Sequence, residues 1–190
     1  MQRKSDSTER EKVLTETDSI EMDLIETVSF LGRSLKLEIQ FHAWKNRAVA
    51  SGDTLYLFLR ADTSTEEKEK LIQIWKKESL RKEVARRLPV WEKKTGLYCS
   101  CWQIRDMKTR WGTCNVKTRK VWLSLQLANL GPECLEYVIL HELAHLYEPS
   151  HNARFKAYLD SQMPEWRQIQ ESMRCDRYSK KTGGEQAFSG

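Results

Sequence analysis

The chain lacks long hydrophobic runs, an even set of cysteines and a glycine-rich phosphate loop, and each absence excludes a class of protein. No apolar run approaches the ~20 residues that a transmembrane helix needs. The first residues are polar and charged, without the apolar core of a signal peptide, so we expect a cytoplasmic protein that makes no membrane contact. The cysteines number five and are irregularly spaced, which favours reduced thiols over a disulfide framework.

Composition indicates one globular domain. Hydrophobic residues make up 39% of the 190 residues and charged residues 31%, which is ordinary for a globular domain with a well-charged surface. Residues 1–20 are rich in Ser, Thr, Glu, Lys and Arg. We therefore predict a disordered tail over residues 1–20, a single domain over 21–175 and a second disordered tail over 176–190.

Hydrophobic periodicity predicts an α+β fold. Residues 35–41 and 55–59 alternate between apolar and polar, which predicts two strands of an N-terminal antiparallel sheet. A long helix should begin at Ser64 or Thr65 and run to about Leu88, with Pro89 kinking or splitting it and Gly96 ending it. Its predicted apolar stripe contains Leu71, Ile74, Trp75, Leu80, Val84 and Leu88.

The second half of the chain predicts two further strands, at residues 97–104 and 120–125. The latter precedes the helix that carries the metal-site motif described below, where a peptidase would pair an extended substrate by edge addition. One or two amphipathic helices, broken at Pro164, should follow residue 151. We assign no role to His42, at the end of the first of the alternating strands.

The most informative motif is H-E-x-x-H at residues 141–145. On a helix, positions i and i+4 share a face, so His141 and His145 can reach one metal ion while Glu142 activates a metal-bound water. Gly131 and Pro132 provide a helix start, and Pro149 marks its end. This pattern predicts a zinc hydrolase with Glu142 as general base.

A catalytic zinc site usually has three protein ligands and one open position. Three of the four histidines fall between residues 141 and 151, so His151 is the first candidate for the third ligand. Glu148 and Glu165 are alternatives. Cys99, Cys101 and Cys114 do not match the spacing of a zinc ribbon, and we predict that Cys99 and Cys101 are small buried residues of a strand.

Several separated segments resemble the YgjP-like metal-dependent hydrolases, in order from about residue 30 to about 175. They include residues 108–114 (KTRWGTC), 123–125 (LSL), 141–145 (HELAH) and 151–155 (HNARF). That family is classed with zincin metallopeptidases and is distantly related to SprT-like proteases. The resemblance implies a minigluzincin-like core, with a small sheet packed on a long helix and on the H-E-x-x-H helix. It also implies one Zn²⁺ held by His141, His145 and His151.

Three functional hypotheses remain open. The first is a zinc metallopeptidase acting on a peptide or protein. The second is a metal-dependent nucleoside triphosphate pyrophosphatase, because some relatives are described as acting on uridine triphosphate and because Arg105, Lys108 and Arg110 could neutralise phosphate charge. The third is a non-enzymatic, zinc-stabilised module that binds nucleic acid or a protein partner, to which the net charge of +5 gives modest support.

Overall fold

The computed structural model describes residues 26–41 and 44–182, with side chains described up to residue 175. The predicted tail of residues 1–20 and His42 lie outside the described residues. The predicted second tail overlaps the last turns of a helix that continues to Thr182, and residues 183–190 lie outside the described part. None of the described helices is both long enough and apolar enough to cross a membrane.

The first sheet has four strands in the order β1-β2-β4-β3. They are β1 (Thr27–Phe30), β2 (Arg33–Phe41), β3 (Arg47–Ser51) and β4 (Thr54–Leu59). Leu31 and Gly32, both with positive φ (46° and 75°), form the tight turn between β1 and β2. Paired positive φ angles suit this turn because they match the right-handed twist of the flanking strands.

The predicted pairing of residues 35–41 with residues 55–59 as antiparallel neighbours is wrong. Strand β2 pairs with β4 in parallel, with Leu37 opposite Leu55 and Ile39 opposite Leu57. The error comes from β3, which is mostly exposed and lacks a clear apolar alternation. Because β3 lies between them in sequence and forms a hairpin with β4, the chain has reversed direction twice by the time it reaches β4.

Helix α1 (Thr65–Thr95) is a single 31-residue helix. It begins with a capping box, in which Ser64 accepts from the Glu67 backbone N–H and Glu67 accepts from the Ser64 backbone N–H. It ends at Gly96, which adopts the left-handed conformation with φ of 71°, as predicted. Pro89 does not split the helix, because it lies on the exposed face, where water can satisfy the carbonyl that its missing N–H leaves free.

The buried stripe of α1 differs in part from the predicted one. Ile74 is 60% exposed, whereas Ile72 and Trp91 are buried. The N-terminal half of the helix packs through Ile72 on the first sheet. Its C-terminal half packs through Leu80, Val84 and Leu88 into a second core, which it shares with the later elements of the chain. Helix α1 thereby connects the two cores.

The second sheet has three strands in the order β5-β7-β6. They are β5 (Cys101–Arg105), β6 (Gly112–Asn115) and β7 (Lys120–Ser124). Strand β7, which we predicted to receive a substrate by edge addition, is the central strand, so that prediction is wrong. Strand β6 is an edge strand instead, and we did not predict it because basic residues flank it on both sides.

Three helices complete the second core: α2 (Pro132–Ala144), α3 (Ala153–Gln162) and α4 (Trp166–Thr182). A 3-10 helix (Leu125–Asn129) joins β7 to α2. Helix α2 is almost wholly buried, with β6 and β7 on one side and α1, α3 and α4 around the others. The architecture is therefore α+β, with two small sheets packed against helices.

Candidate metal centre

The H-E-x-x-H motif lies at the C-terminal end of α2. Pro132 occupies the first turn, as predicted, and the helix ends at Ala144 with His145 as its cap. We expected the helix to continue to Pro149. The helix instead ends five residues before Pro149, and in the turn that follows the Tyr147 and Glu148 N–H groups both donate to the Ala144 carbonyl. This turn brings the chain back towards α2.

The turn places His151 beside His141 and His145. The candidate ligand nitrogens of the three imidazoles all lie within 4.8 Å of one another. The Nε2 atoms of His141 and His151 are 2.9 Å apart, which requires a proton or a cation between two nitrogens that would otherwise both present lone pairs. Among the described residues, neither Glu148 nor Glu165 belongs to this group. Glu148 instead accepts from the hydroxyl of Ser150 at 2.9 Å.

Phe155, the first buried residue of α3, forms the floor of the histidine cluster. Its ring centroid lies 5.1, 4.9 and 4.8 Å from those of His141, His145 and His151. The phenyl ring is 2% exposed and carries no polar atom that could compete for the imidazole nitrogens. Asn152 caps α3 by accepting from the Phe155 backbone N–H, so the residue that follows His151 fixes this floor.

Burial favours the neutral forms of His141 and His145. It lowers the pKa of His141 to about 3, with smaller contributions from the two neighbouring histidines. It also lowers the pKa of His145, and His151 adds to that effect. Neutral imidazole nitrogens are the form that binds divalent metals. Two imidazoles that burial keeps neutral, with His151 beside them at an open cleft, therefore fit a catalytic zinc ion.

Glu142 is buried next to the histidine cluster. The residue is 4% exposed, and its Oε2 atom has no hydrogen-bond partner among the described groups. Burial raises the pKa of the carboxyl group to about 8, and the charge of Arg110 opposes this rise. A buried carboxylate oxygen without a partner fits a group whose hydrogen-bond donor arrives with water or substrate.

Gly112, on the edge strand β6, packs directly against this carboxylate. A Cβ atom at residue 112 would lie 2.5 Å from Glu142 Oε1 and 2.7 Å from Glu142 Cγ. Such distances are far inside van der Waals contact, so no larger residue fits unless the Glu142 side chain moves. Gly112, Glu142, His141 and His151 together line a cleft of about 650 Å³.

Comparison with protein families matches residues 3–175 to the YgjP-like metallopeptidase domain, which covers most of the chain. The chain belongs to the YgjP-like family. Its assignment confirms the resemblance that the separated sequence segments indicated. A YgjP-like metallopeptidase domain is a metal-dependent hydrolase, and the histidine cluster is a group that could hold its divalent metal, typically zinc. No curated protein matches the chain.

The YgjP-like domain brings only one of the three predicted basic residues into the cleft. Arg110 lines it beside Trp111. The guanidinium of Arg105 lies over the Trp122 ring at 4.7 Å, on the second sheet. Lys108 is exposed in the loop between β5 and β6 and is not among the residues that line the cleft.

The cysteines do not form a second metal site within the described part of the chain, in which the histidine cluster is the group suited to a metal. Burial raises the pKa of Cys99 to about 12 and that of Cys114 to about 11, which keeps both thiols protonated. Cys101 is exposed, contrary to our prediction. Cys101 lies on the exposed face of β5, because side chains alternate along a strand and Trp102 and Ile104 occupy the partly buried face.

Sequence reasoning missed several residues that the YgjP-like domain places in the cleft. Tyr137 lies four residues before His141 on α2, a spacing that sequence could have revealed. The others come from distant elements, and only Gly112 stands in a segment that the sequence singled out, residues 108–114. They are Gly112 on β6, Lys156 on α3, and Trp166, Gln170 and Arg174 on α4.

Proposed function

We propose that the protein is a zinc metallopeptidase with a minigluzincin-like core made of α1, the second sheet and α2. The observation that carries this proposal is the placement of three clustered histidines beside the buried, unpartnered oxygen of Glu142. Membership of a metallopeptidase family supports it. In this proposal His141, His145 and His151 hold one Zn²⁺ per chain and leave the fourth position open to the cleft.

Bound zinc would supply Lewis acidity, which polarises a scissile carbonyl and acidifies water. Glu142 is the general base of the proposed reaction. Its Oε2 takes a proton from the attacking water as the water oxygen bonds to the carbonyl carbon. The same oxygen then delivers that proton to the amide nitrogen as the C–N bond breaks, which releases an amine and a carboxylic acid, and the acid loses its proton to solvent.

Strand β6 offers a place for an extended polypeptide. Just before β6, the Trp111 carbonyl accepts a backbone hydrogen bond from the Ser124 N–H. Backbone groups that face the partner strand alternate with groups that face away from it in an antiparallel ladder, so those of Gly112 and Cys114 face away from β7. Those groups face outwards on the edge nearest the cleft. We propose that a substrate strand pairs there, which brings its scissile bond to Glu142.

The test of this function compares zinc-loaded protein with its Glu142→Gln variant on an unfolded polypeptide. General-base removal should lower the cleavage rate by about 10²–10⁴-fold while zinc content stays unchanged. The matched control is Glu148→Gln, which removes a nearby carboxylate outside the histidine cluster and should cleave at the wild-type rate. Full activity in Glu142→Gln would overturn the assignment, and loss in Glu148→Gln would restore Glu148 as a ligand.

A second candidate is hydrolysis of a nucleoside triphosphate at the same centre. The observation in its favour is the positive charge around the cleft, which is lined by Arg110 from the loop before β6, Lys156 from α3 and Arg174 from α4. Among the described lining residues, Glu142 is the one that is acidic. Three cations suit a polyphosphate. Release of phosphate or pyrophosphate from uridine triphosphate, lost in Glu142→Gln, would favour this candidate over the peptidase.

The non-enzymatic binding module remains a prediction with less support. A purely structural zinc site is normally closed by a fourth protein ligand, whereas the histidine cluster has three members and lines a cleft. Steeply salt-dependent DNA binding, with no hydrolysis of either substrate, is the result that would favour it.

A further inference from the structure

The hydroxyl of Tyr137 lies between His141 and a side chain of α4. Its oxygen is 3.3 Å from Nδ1 of His141. From the other side, Nε2 of Gln170 donates to the same oxygen at 2.9 Å. Tyr137 is on α2 and Gln170 is on α4, so this short chain of hydrogen bonds joins a separate helix to the histidine cluster.

The direction of these hydrogen bonds follows from the chemistry of imidazole. A neutral His141 that presents the lone pair of Nε2 to the cluster must carry its proton on Nδ1. The Nδ1–H group then donates to the Tyr137 oxygen, which also accepts from Gln170. With both neighbours donating to it, the tyrosine oxygen stabilises the tautomer in which Nε2 is free to bind a metal. Burial raises the pKa of Tyr137 to about 12, which keeps its hydroxyl group protonated.

Helix α4 holds the tyrosine at two points. The Tyr137 ring stacks on Trp166, with centroids 6.2 Å apart and planes 10° from parallel. Trp166 and Gln170 are four residues apart on α4 and share one face of the helix. Both tyrosine and tryptophan are buried, at 4% and 5% exposure, so the position of the hydroxyl is fixed by packing as well as by hydrogen bonds.

We propose that Tyr137 and Gln170 are positioning residues that fix the tautomer and ring orientation of His141, so that α4 sets the metal affinity of the centre. This inference rests on the proposed role of His141 as a ligand. Partners of this kind, which hold the second nitrogen of a ligating histidine, typically change metal affinity by about 10–100-fold when they are removed.

The test measures affinity for Zn²⁺ by chelator competition, and the visible spectrum of bound Co²⁺, in the purified full chain. We expect Tyr137→Phe and Gln170→Leu each to weaken zinc binding by about 10–100-fold and to change the cobalt spectrum. The matched control is Tyr158→Phe, which removes a buried hydroxyl on α3 outside the histidine cluster and should bind zinc with wild-type affinity.

A fourth variant separates positioning from packing. In Gln170→Glu the carboxylate can accept a hydrogen bond from the Tyr137 hydroxyl group, which makes the tyrosine oxygen a stronger acceptor for His141 and should keep zinc affinity at or above the wild-type value. A purely structural role for Gln170 predicts that Leu and Glu both leave affinity unchanged, which would overturn the proposal. If Tyr137→Phe failed to fold, the Gln170 pair would still decide between these outcomes.

His141→Ala distinguishes this inference from the proposed function. If wild-type protein binds zinc and His141→Ala does not, unchanged affinity in Tyr137→Phe and Gln170→Leu overturns the positioning role alone. If His141→Ala binds zinc as tightly as wild type, His141 is not a ligand, and both the proposed metal centre and the positioning role fail.

Discussion

At the scale of single residues, the contact between Gly112 and Glu142 fixes the position of the proposed general base. The carboxylate is buried, and one of its oxygens would overlap any side chain larger than hydrogen at residue 112. Cys114 lies two residues further along β6 and therefore on the same face of the strand as Gly112. The glycine therefore provides space for the carboxylate beside the histidine cluster.

We predict that Gly112→Ala lowers kcat by about 10²-fold, because an error of about 1 Å in a reacting group costs that much. Zinc affinity should stay at the wild-type value, since the substitution touches none of the histidines. The measurement is kcat and zinc affinity on the same preparation. Thr113→Ala is the control on the opposite face of β6, and equal kcat values in the two variants would contradict a special role for Gly112.

At the scale of elements, α1 and α2 are joined by a partly buried ionic cluster. Arg87 on α1 is 11% exposed and pairs through Nε with Glu136 on α2 at 2.9 Å. It also pairs with Glu83 one turn earlier, and the indole N–H of Trp91 donates to Glu136. The cluster fixes the long helix against the helix that carries the metal-site motif.

We predict that Arg87→Met lowers the free energy of unfolding by roughly 1–3 kcal/mol, because it leaves Glu136 partly buried without its cation. Arg86→Met is the matched control. Arg86 pairs with the same Glu83 but its side chain is 66% exposed, so its loss should cost less than about 0.5 kcal/mol. Urea unfolding of the two variants gives both values, and equal costs would show that burial of Arg87 adds nothing.

Pro89 provides a second test at this scale. It lies inside α1 on an exposed face, and it cannot donate to the Ala85 carbonyl. Pro89→Ala restores that hydrogen bond, so we predict a gain of roughly 1–2 kcal/mol after allowing for the greater freedom of the unfolded chain. A loss of stability in thermal and urea unfolding would mean that the ring makes a stabilising contact.

At the scale of the whole molecule, the histidine cluster joins two segments that are separate in the chain. His141 is on α2, whereas His151 lies in the segment before α3. A metal bound across them would stabilise the folded state alone, since the unfolded chain has no preformed site. Thermal stability should therefore depend on metal concentration.

We predict that zinc at about 100 times its Kd adds about 2.7 kcal/mol to the stability of the wild-type protein, and that a chelator removes this gain. His151→Ala should lose most of the gain, because the loop before α3 is then no longer held to α2. Glu148→Gln, in the same loop, should retain it. Thermal unfolding of each protein with zinc and with chelator provides the comparison, and a gain retained in His151→Ala would argue against its role as a ligand.

Sequence alone determined the features that depend on neighbouring residues. Ser64 and Glu67 define the start of α1, Gly96 its end and Pro132 the start of α2, because capping and φ preferences act over a few residues. The spacing of His141, Glu142 and His145 likewise follows from helical periodicity. These local rules were sufficient to predict the α+β class, whereas the family was indicated by the resemblance of several separated segments to a known family.

Only the tertiary structure decided how distant elements meet. It made β2 and β4 parallel, because an inconspicuous edge strand intervenes, and it exposed β6 as the sheet edge beside the cleft. It also brought Gly112 against Glu142 and Gln170 against Tyr137, two contacts between elements far apart in sequence. Such contacts depend on packing and strand order, which are properties of the whole chain and leave no periodic or capping signal in a short segment.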